Sequence, residues 1–340
     1  MGRIKNESTA FFKKYKLILL GVLFVVSLIL PAFVKSSYIM GVFCQIFMYA
    51  TLAGSLNVIN GYTNQFSLGH AGFFCVGAYM EAILSTSAHI SFWILLPLSG
   101  LFAALIAFLV VLPTLKLRGM YLSIVTMGFS EIIRLIALNW NSVTGGPDGI
   151  KGIPSPRLFG LRISKSGQYY YLFLIVLLLF LFFTARILKS RVGRAWISIR
   201  EDQLAARSLG IEINKYKAIN FMYGAFWAGM IGAIYAPYFK YVSSDMFTLD
   251  EGFNILSMAI IGGFGSLIGP VLGSGIVNLL TEILRPVSQY RMVVYALLII
   301  TIMWIRPQGL AGDSASVLAG GAKKIFRKKV KRTAERNGVK

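Results

Sequence analysis

The chain has 340 residues, of which 56% are hydrophobic and only 14% charged. Apolar runs long enough to cross roughly 30 Å of hydrocarbon recur along most of it, which excludes an ordinary soluble domain; strand-like alternation is missing, which argues against a β-barrel. The net charge of +21 comes without zinc spacing or an aromatic-interleaved basic face, so it points to anionic lipid headgroups and not to nucleic acid.

In chain order, a basic N-terminus over residues 1–16 leads into apolar runs at Leu17–Val34, Tyr38–Ile59, Phe66–Leu84, Phe92–Leu115, Met120–Trp140, Tyr169–Leu188, Ala218–Phe239, Phe253–Ile268, Pro270–Leu284 and Tyr290–Ile305. Each is near the ~20 residues of a crossing. The first run lacks a clear small-x-small cleavage site and reads as a retained anchor. The expected fold is therefore all-α, a transmembrane helix bundle of about ten spans with both termini cytoplasmic. It forms a single transmembrane domain over 17–306, followed by a basic cytoplasmic tail at 307–340. Broken or half-spanning helices around Gly61–Gly77 and Gly262–Gly275 would alter that count. With the N-terminus inside, 25 of the 34 Lys and Arg fall on cytoplasmic segments, the positive-inside signature. The 141–168 segment, rich in Gly and Pro, is expected outside.

Small residues recur near helix-helix or pathway positions, at Gly61, Gly69, Gly72 and Gly77, and again at Gly265, Gly269 and Gly273; such stripes allow close backbone approach in lipid. Ionisable residues inside the spans are rare. Glu131 and Arg134, like Glu282 and Arg285, are three apart and share a helix face, so each pair could neutralise itself or serve a function. Glu81 has no sequence-local partner and is the better single candidate for a buried functional carboxylate. Cys44 and Cys75 each lie inside an apolar run and read as free buried thiols.

The polar island at 189–216 should be a cytoplasmic loop carrying a short helix, Gln203–Leu209, stopped by Gly210. Arg200, Glu201 and Asp202 make the rest of that short helix polar, and Ala205, Ala206 and Gly210 give it an A-A-x-x-x-G spacing. No phosphate-binding G-x-x-x-x-G-K-[ST] loop, H-E-x-x-H or G-x-S-x-G occurs, so the residues point to no enzyme, metal or cofactor, and any ATP is used by a partner.

Five stretches, Asn57–Tyr79, Leu117–Arg134, Thr144–Pro154, Gly193–Asp202 running into Ala205-Ala206 and Gly210, and Ile261–Pro270, make the chain resemble the permease subunits of ABC importers. Among these it is most similar to the LivM-type permeases of branched-chain amino acid transport. The resemblance implies a sister permease, two ABC ATPase subunits on the cytoplasmic face, an external solute-binding protein and a bacterial inner-membrane location. It also makes Arg200–Gly210 the coupling helix. The importer pattern E-A-A-x-x-x-G departs here, with Leu204 in the Glu position and no later Leu-Pro. Two other readings stay open: a family member importing urea, short amides or other amino acids, and a proton-coupled secondary transporter using Glu81 or Glu131.

Overall fold

The computed structural model describes residues 36–115, 117, 119–158 and 161–285, together with residue 31 and scattered positions from 293 to 311. The expected N-terminus, the first span apart from residue 31, most of the last span, the basic tail apart from residues 309–311, Lys116 and Arg118 lie outside the described residues.

The described chain is helical almost throughout. Its helices are α1 (Ser37–Thr63), α2 (His70–Ser87), α3 (Phe92–Thr114), α4 (Met120–Asn139), a single turn α5 (Asn141–Thr144), α6 (Ser166–Lys189), α7 (Arg191–Glu201), α8 (Gln203–Ser208), α9 (Ile213–Phe239), α10 (Leu249–Gly262) and α11 (Gly269–Ile283). Five of them, α1, α3, α4, α6 and α9, are long and apolar enough to cross a membrane.

The remaining described runs differ from their sequence reading, and the backbone gives the reason. The run expected from Phe66 becomes helical only at His70, because α1 ends in a left-handed Asn64 and the chain returns along α1 without helical bonds. The run expected over Phe253–Ile268 stops at Gly262, because Gly263 and Gly265 adopt φ of 102° and 78°, outside the helical well. Beyond this turn the chain forms a second short helix. At 14 and 15 residues, α10 and α11 each rise roughly 21–23 Å, short of a full bilayer core.

Two loop faces result. On one, Phe66 packs edge-on to Phe264 with ring centroids 6.2 Å apart, Gln65 donates to the Lys217 carbonyl at 3.3 Å, and Lys217 Nζ donates to Gln203 at 3.3 Å. This is the face of the 190–212 segment. Leu310 and Ala311 reach it too, donating to the Ile261 and Gly262 carbonyls that end α10. On the opposite face Ile150 and Lys151 pair antiparallel with Val242 and Tyr241, and Trp93 donates to the Arg157 carbonyl at 2.7 Å. The Gly-rich segment expected outside is thus joined to the short connection that follows α9.

Between the faces, α9 is the spine, packing on α2, α3 and α1. A Cβ at Gly77 would run into the backbone of Gly229, and one at Gly232 into the carbonyl of Phe74. Packing, not hydrophobicity, drives helix association in lipid, so this contact requires residues without side chains.

Candidate functional site

The site is built where α1 ends. A stretch of chain without helical bonds inside a helix bundle leaves N–H and C=O groups that need other partners. Residues 65–69 find theirs on α1 and α4. Ser67 N–H donates to Asn60 Oδ1 at 3.0 Å and Asn60 Nδ2 donates back to the Ser67 carbonyl at 3.3 Å. Leu68 N–H donates to Thr126 at 3.0 Å, and Ser123 donates to the Phe66 carbonyl at 3.0 Å. Thr63, Gln65 and Asn220 link the turn to α9 through bonds of 2.8–3.0 Å.

The second break, Gly263–Ile268, is pinned by one residue. Asn57 accepts from Gly265 N–H at 2.9 Å and donates to the Ser266 carbonyl at 2.7 Å. A Cβ at Gly61 would strike the Gly265 nitrogen, so the last turn of α1 touches the second break backbone to backbone. On its other side Gly265 meets Arg200, whose Nη1 would lie 2.5 Å from a Cβ there.

Arg200 belongs to the 190–212 segment, which is two helices. Ser190 caps α7 by accepting from Val192 N–H at 3.2 Å. Asp202 then takes an extended backbone, and its Oδ1 accepts from Leu204 and Ala205 N–H at 2.7 and 3.1 Å, capping α8. The helix ends at Gly210 with φ of 79°; Ile211 N–H bonds back to the Ala206 carbonyl at 3.1 Å, the helix-stop expected of a left-handed glycine. Arg200 and Glu201 therefore finish α7 instead of decorating α8, and Arg200 turns inward. Ala206 is buried, while Leu204 and Leu209 are 70% and 79% exposed. These two leucines, five residues apart at the two ends of α8, leave the tip of the loop, here called the knob, with exposed apolar side chains.

The other singled-out glycines all sit at close approaches: Gly69 against the Thr126 carbonyl, Gly72 against Ser130, Gly269 against Gly262 and Gly273 against the Met258 carbonyl. Each of the candidate charges has its own surroundings. Arg134 Nε donates to both Glu131 oxygens at 3.0 Å, and Arg134 also faces Asp245 at 3.9 Å. Arg285 meets Glu282 at 3.5 Å and Tyr38 at 3.0 Å. Glu81 is buried, and its Oε2 has no hydrogen-bond partner among the described residues. His70, buried at the start of α2, meets Ser55 at 2.7 Å. Cys44 and Cys75 are free and buried.

Two cavities, of about 660 and 550 Å³, open beside the knob and share Gln203 and Lys217; the second reaches Asn64 and Phe66 on one side and Ser123 on the other. Sequence reasoning reached the glycines and the knob but missed Asn57, Asn60, Thr126 and Asn220. Their signal was available: amide and hydroxyl side chains inside apolar runs must answer unpaired backbone.

The family of branched-chain amino acid transport system permease components matches residues 38–303. The chain is 36% identical to the high-affinity branched-chain amino acid transport system permease protein LivM of Escherichia coli (strain K12), over 77% of this chain and 67% of that protein. It is 26% identical to a probable branched-chain amino acid transport permease protein LivM of Methanocaldococcus jannaschii, covering 68% and 72%. It is also 23% identical to the permease protein LivH of Salmonella typhimurium, covering 78% and 91%. No solved structure matches. On the family match and the first of these relatives, the chain belongs to the branched-chain amino acid transport permease family.

Proposed function

We propose that the chain is the membrane subunit of an ATP-driven importer that carries branched-chain amino acids across a bacterial inner membrane. It works beside a sister permease, two ABC ATPase subunits and an external binding protein, in a ten-span arrangement with both termini and the 190–212 segment in the cytoplasm. The observation that carries this reading is a continuous contact path. The exposed knob Leu204–Leu209 is capped by Asp202, Asp202 joins it to α7, and α7 places Arg200 against Gly265 at the break between α10 and α11. An ATPase gripping the knob would move α7 as a lever, and the Gly265 turn, held to α1 by Asn57, would pass that movement to both broken segments. The scarcity of ionisable residues in the apolar runs suits a zwitterion with an aliphatic side chain.

The complete assembly, reconstituted in liposomes, tests this by its substrate choice. ATP-driven uptake of L-leucine, L-isoleucine and L-valine is expected, with urea and acetamide left outside. Uptake of urea or an amide in preference would move the chain to another branch of the family.

Glu81 supports a second reading. A buried carboxyl with an unpartnered oxygen is what a proton-coupled transporter needs, and that reading requires no ATPase.

A further inference from the structure

The two cavities beside the knob differ in chemistry. The larger, about 660 Å³, is lined by Arg207, Lys215 and Lys217, with Glu212 as the one carboxylate among its described lining residues. Neither Arg207 nor Lys215 has an ion-pair partner among the described residues. The smaller, about 550 Å³, carries Leu68, Leu117, Met120 and Leu122 on its walls. Lys217, only 4% exposed, stands in the wall common to both and donates from Nζ to the neutral amide of Gln203 at 3.3 Å. A cationic chamber thus adjoins a largely apolar one, and each lies in the size range of small-molecule sites.

The depth of the chambers follows from the helices that end at them. Lys215 and Lys217 lie near the start of α9, whose 27 residues extend about 40 Å against roughly 30 Å of hydrocarbon, so its first turns reach the headgroup level. Leu115 directly follows the end of α3 and Met120 is the first residue of α4, two further helices of membrane length. Both chambers therefore lie where membrane-length helices end, away from the hairpin face of Ile150 and Val242. Met120 at the rim is 77% exposed, and Tyr121 and Ile124 continue it as an exposed, mostly apolar helix face.

We propose that the two chambers together hold one anionic phospholipid. Its phosphodiester accepts charge-assisted bonds from Arg207, Lys215 and Lys217, and an acyl chain passes along Leu117, Met120 and Leu122. A small free anion would leave the apolar chamber unfilled, and a zwitterionic lipid would bring an ammonium to a place that already carries three cations against the single carboxylate of Glu212. The lipid spans α8 through Arg207, α9 through Lys217 and the connection between α3 and α4, and so fixes the knob helix against the bundle. No covalent bond or proton moves. The site requires only that α3, α4 and α9 cross a membrane, and it does not depend on which substrate is carried.

The test supplies the detergent-purified full chain with equal amounts of dioleoylphosphatidylglycerol and dioleoylphosphatidylcholine and counts bound lipid by native mass spectrometry. The wild type should retain phosphatidylglycerol at least about fivefold over phosphatidylcholine. Arg207→Gln with Lys215→Gln, both at exposed positions, should lower phosphatidylglycerol retention at least about fivefold. Lys189→Gln with Arg191→Gln removes two exposed charges at the start of the same segment but outside both chambers, and should stay within about twofold of wild type. Equal retention of the two lipids by the wild type, unchanged retention in the first double variant, or an equal loss in both double variants overturns the site, the last by showing a diffuse basic surface. Displacement of the bound lipid by excess glycerophosphate or L-leucine also overturns it, because the ligand would then need no acyl chain.

Discussion

Asn57→Leu is the most revealing single change, because the two side chains have the same number of heavy atoms and the substitution removes both hydrogen-bonding groups of the amide. In the native chain that amide holds Gly265 N–H at 2.9 Å and the Ser266 carbonyl at 2.7 Å. Asn57 is 1% exposed, so water cannot replace it. Each backbone group left unpaired costs about 1–3 kcal/mol, and the two together give roughly 2–6 kcal/mol, or at least about a thirtyfold loss in the weight of the pinned state. Unfolding by sodium dodecyl sulfate in mixed micelles measures the global part of this loss. Uptake by the reconstituted assembly measures its consequence, since an unpinned Gly263–Ile268 turn would receive Arg200 without passing force to α1. Asn57→Leu should lose at least about 2 kcal/mol of stability or, if the turn loosens locally, at least tenfold in uptake with hydrolysis retained. A variant within about 0.5 kcal/mol of wild type and with unimpaired uptake would refute the pinning argument.

Gly210→Val places a β-branched residue at φ 79°, at a cost of ~1–3 kcal/mol, while Ala206→Asp buries a charge under the knob; each should abolish uptake and leave membrane insertion intact on fractionation. Arg200→Gln should keep ATPase subunits bound in pull-down yet cut uptake about tenfold, because docking uses Leu204 and Leu209 while transmission uses the Gly265 contact. For orientation, Ser155 and Ser243 on the hairpin face are buried and make poor reporters. Lys165→Cys there and Ser208→Cys on the knob are exposed, and the native thiols are buried. An impermeant maleimide should label the first in intact cells and the second only after the membrane is opened, and the reverse pattern would invert the proposed topology.

Apolar period and length located every long helix among the described residues, because some twenty mostly apolar residues in lipid leave the backbone no other partner than itself. What sequence could not place were the ends at Thr63 and Gly262. Thr63 lies four residues past the end of one apolar run and Gly262 inside another, and their position is set by residues far away in the chain: Thr126 answers Leu68, and Asn57 answers Gly265 across 208 positions. The knob was legible from A-A-x-x-x-G, since local capping by Asp202 and Gly210 is written in neighbouring residues. Arg200 was read as part of that helix because nothing local says that its side chain turns back to a glycine 65 residues on. Glu131 and Arg134 were legible as a pair from their spacing, whereas Asp245, which turns the pair into three alternating charges, comes from a turn more than a hundred residues later.

The source of energy decides the central claim. The chain should be reconstituted alone in liposomes carrying an inward proton gradient, and again with its sister permease, ATPases and loaded binding protein supplied with ATP, with Glu81→Gln tested in both. The account expects no L-leucine uptake by the chain alone, ATP-dependent uptake by the assembly, and Glu81→Gln within about twofold of wild type, since an amide fills the same buried space without a charge. Gradient-driven leucine uptake by the isolated chain, lost in Glu81→Gln and indifferent to ATP, would contradict it.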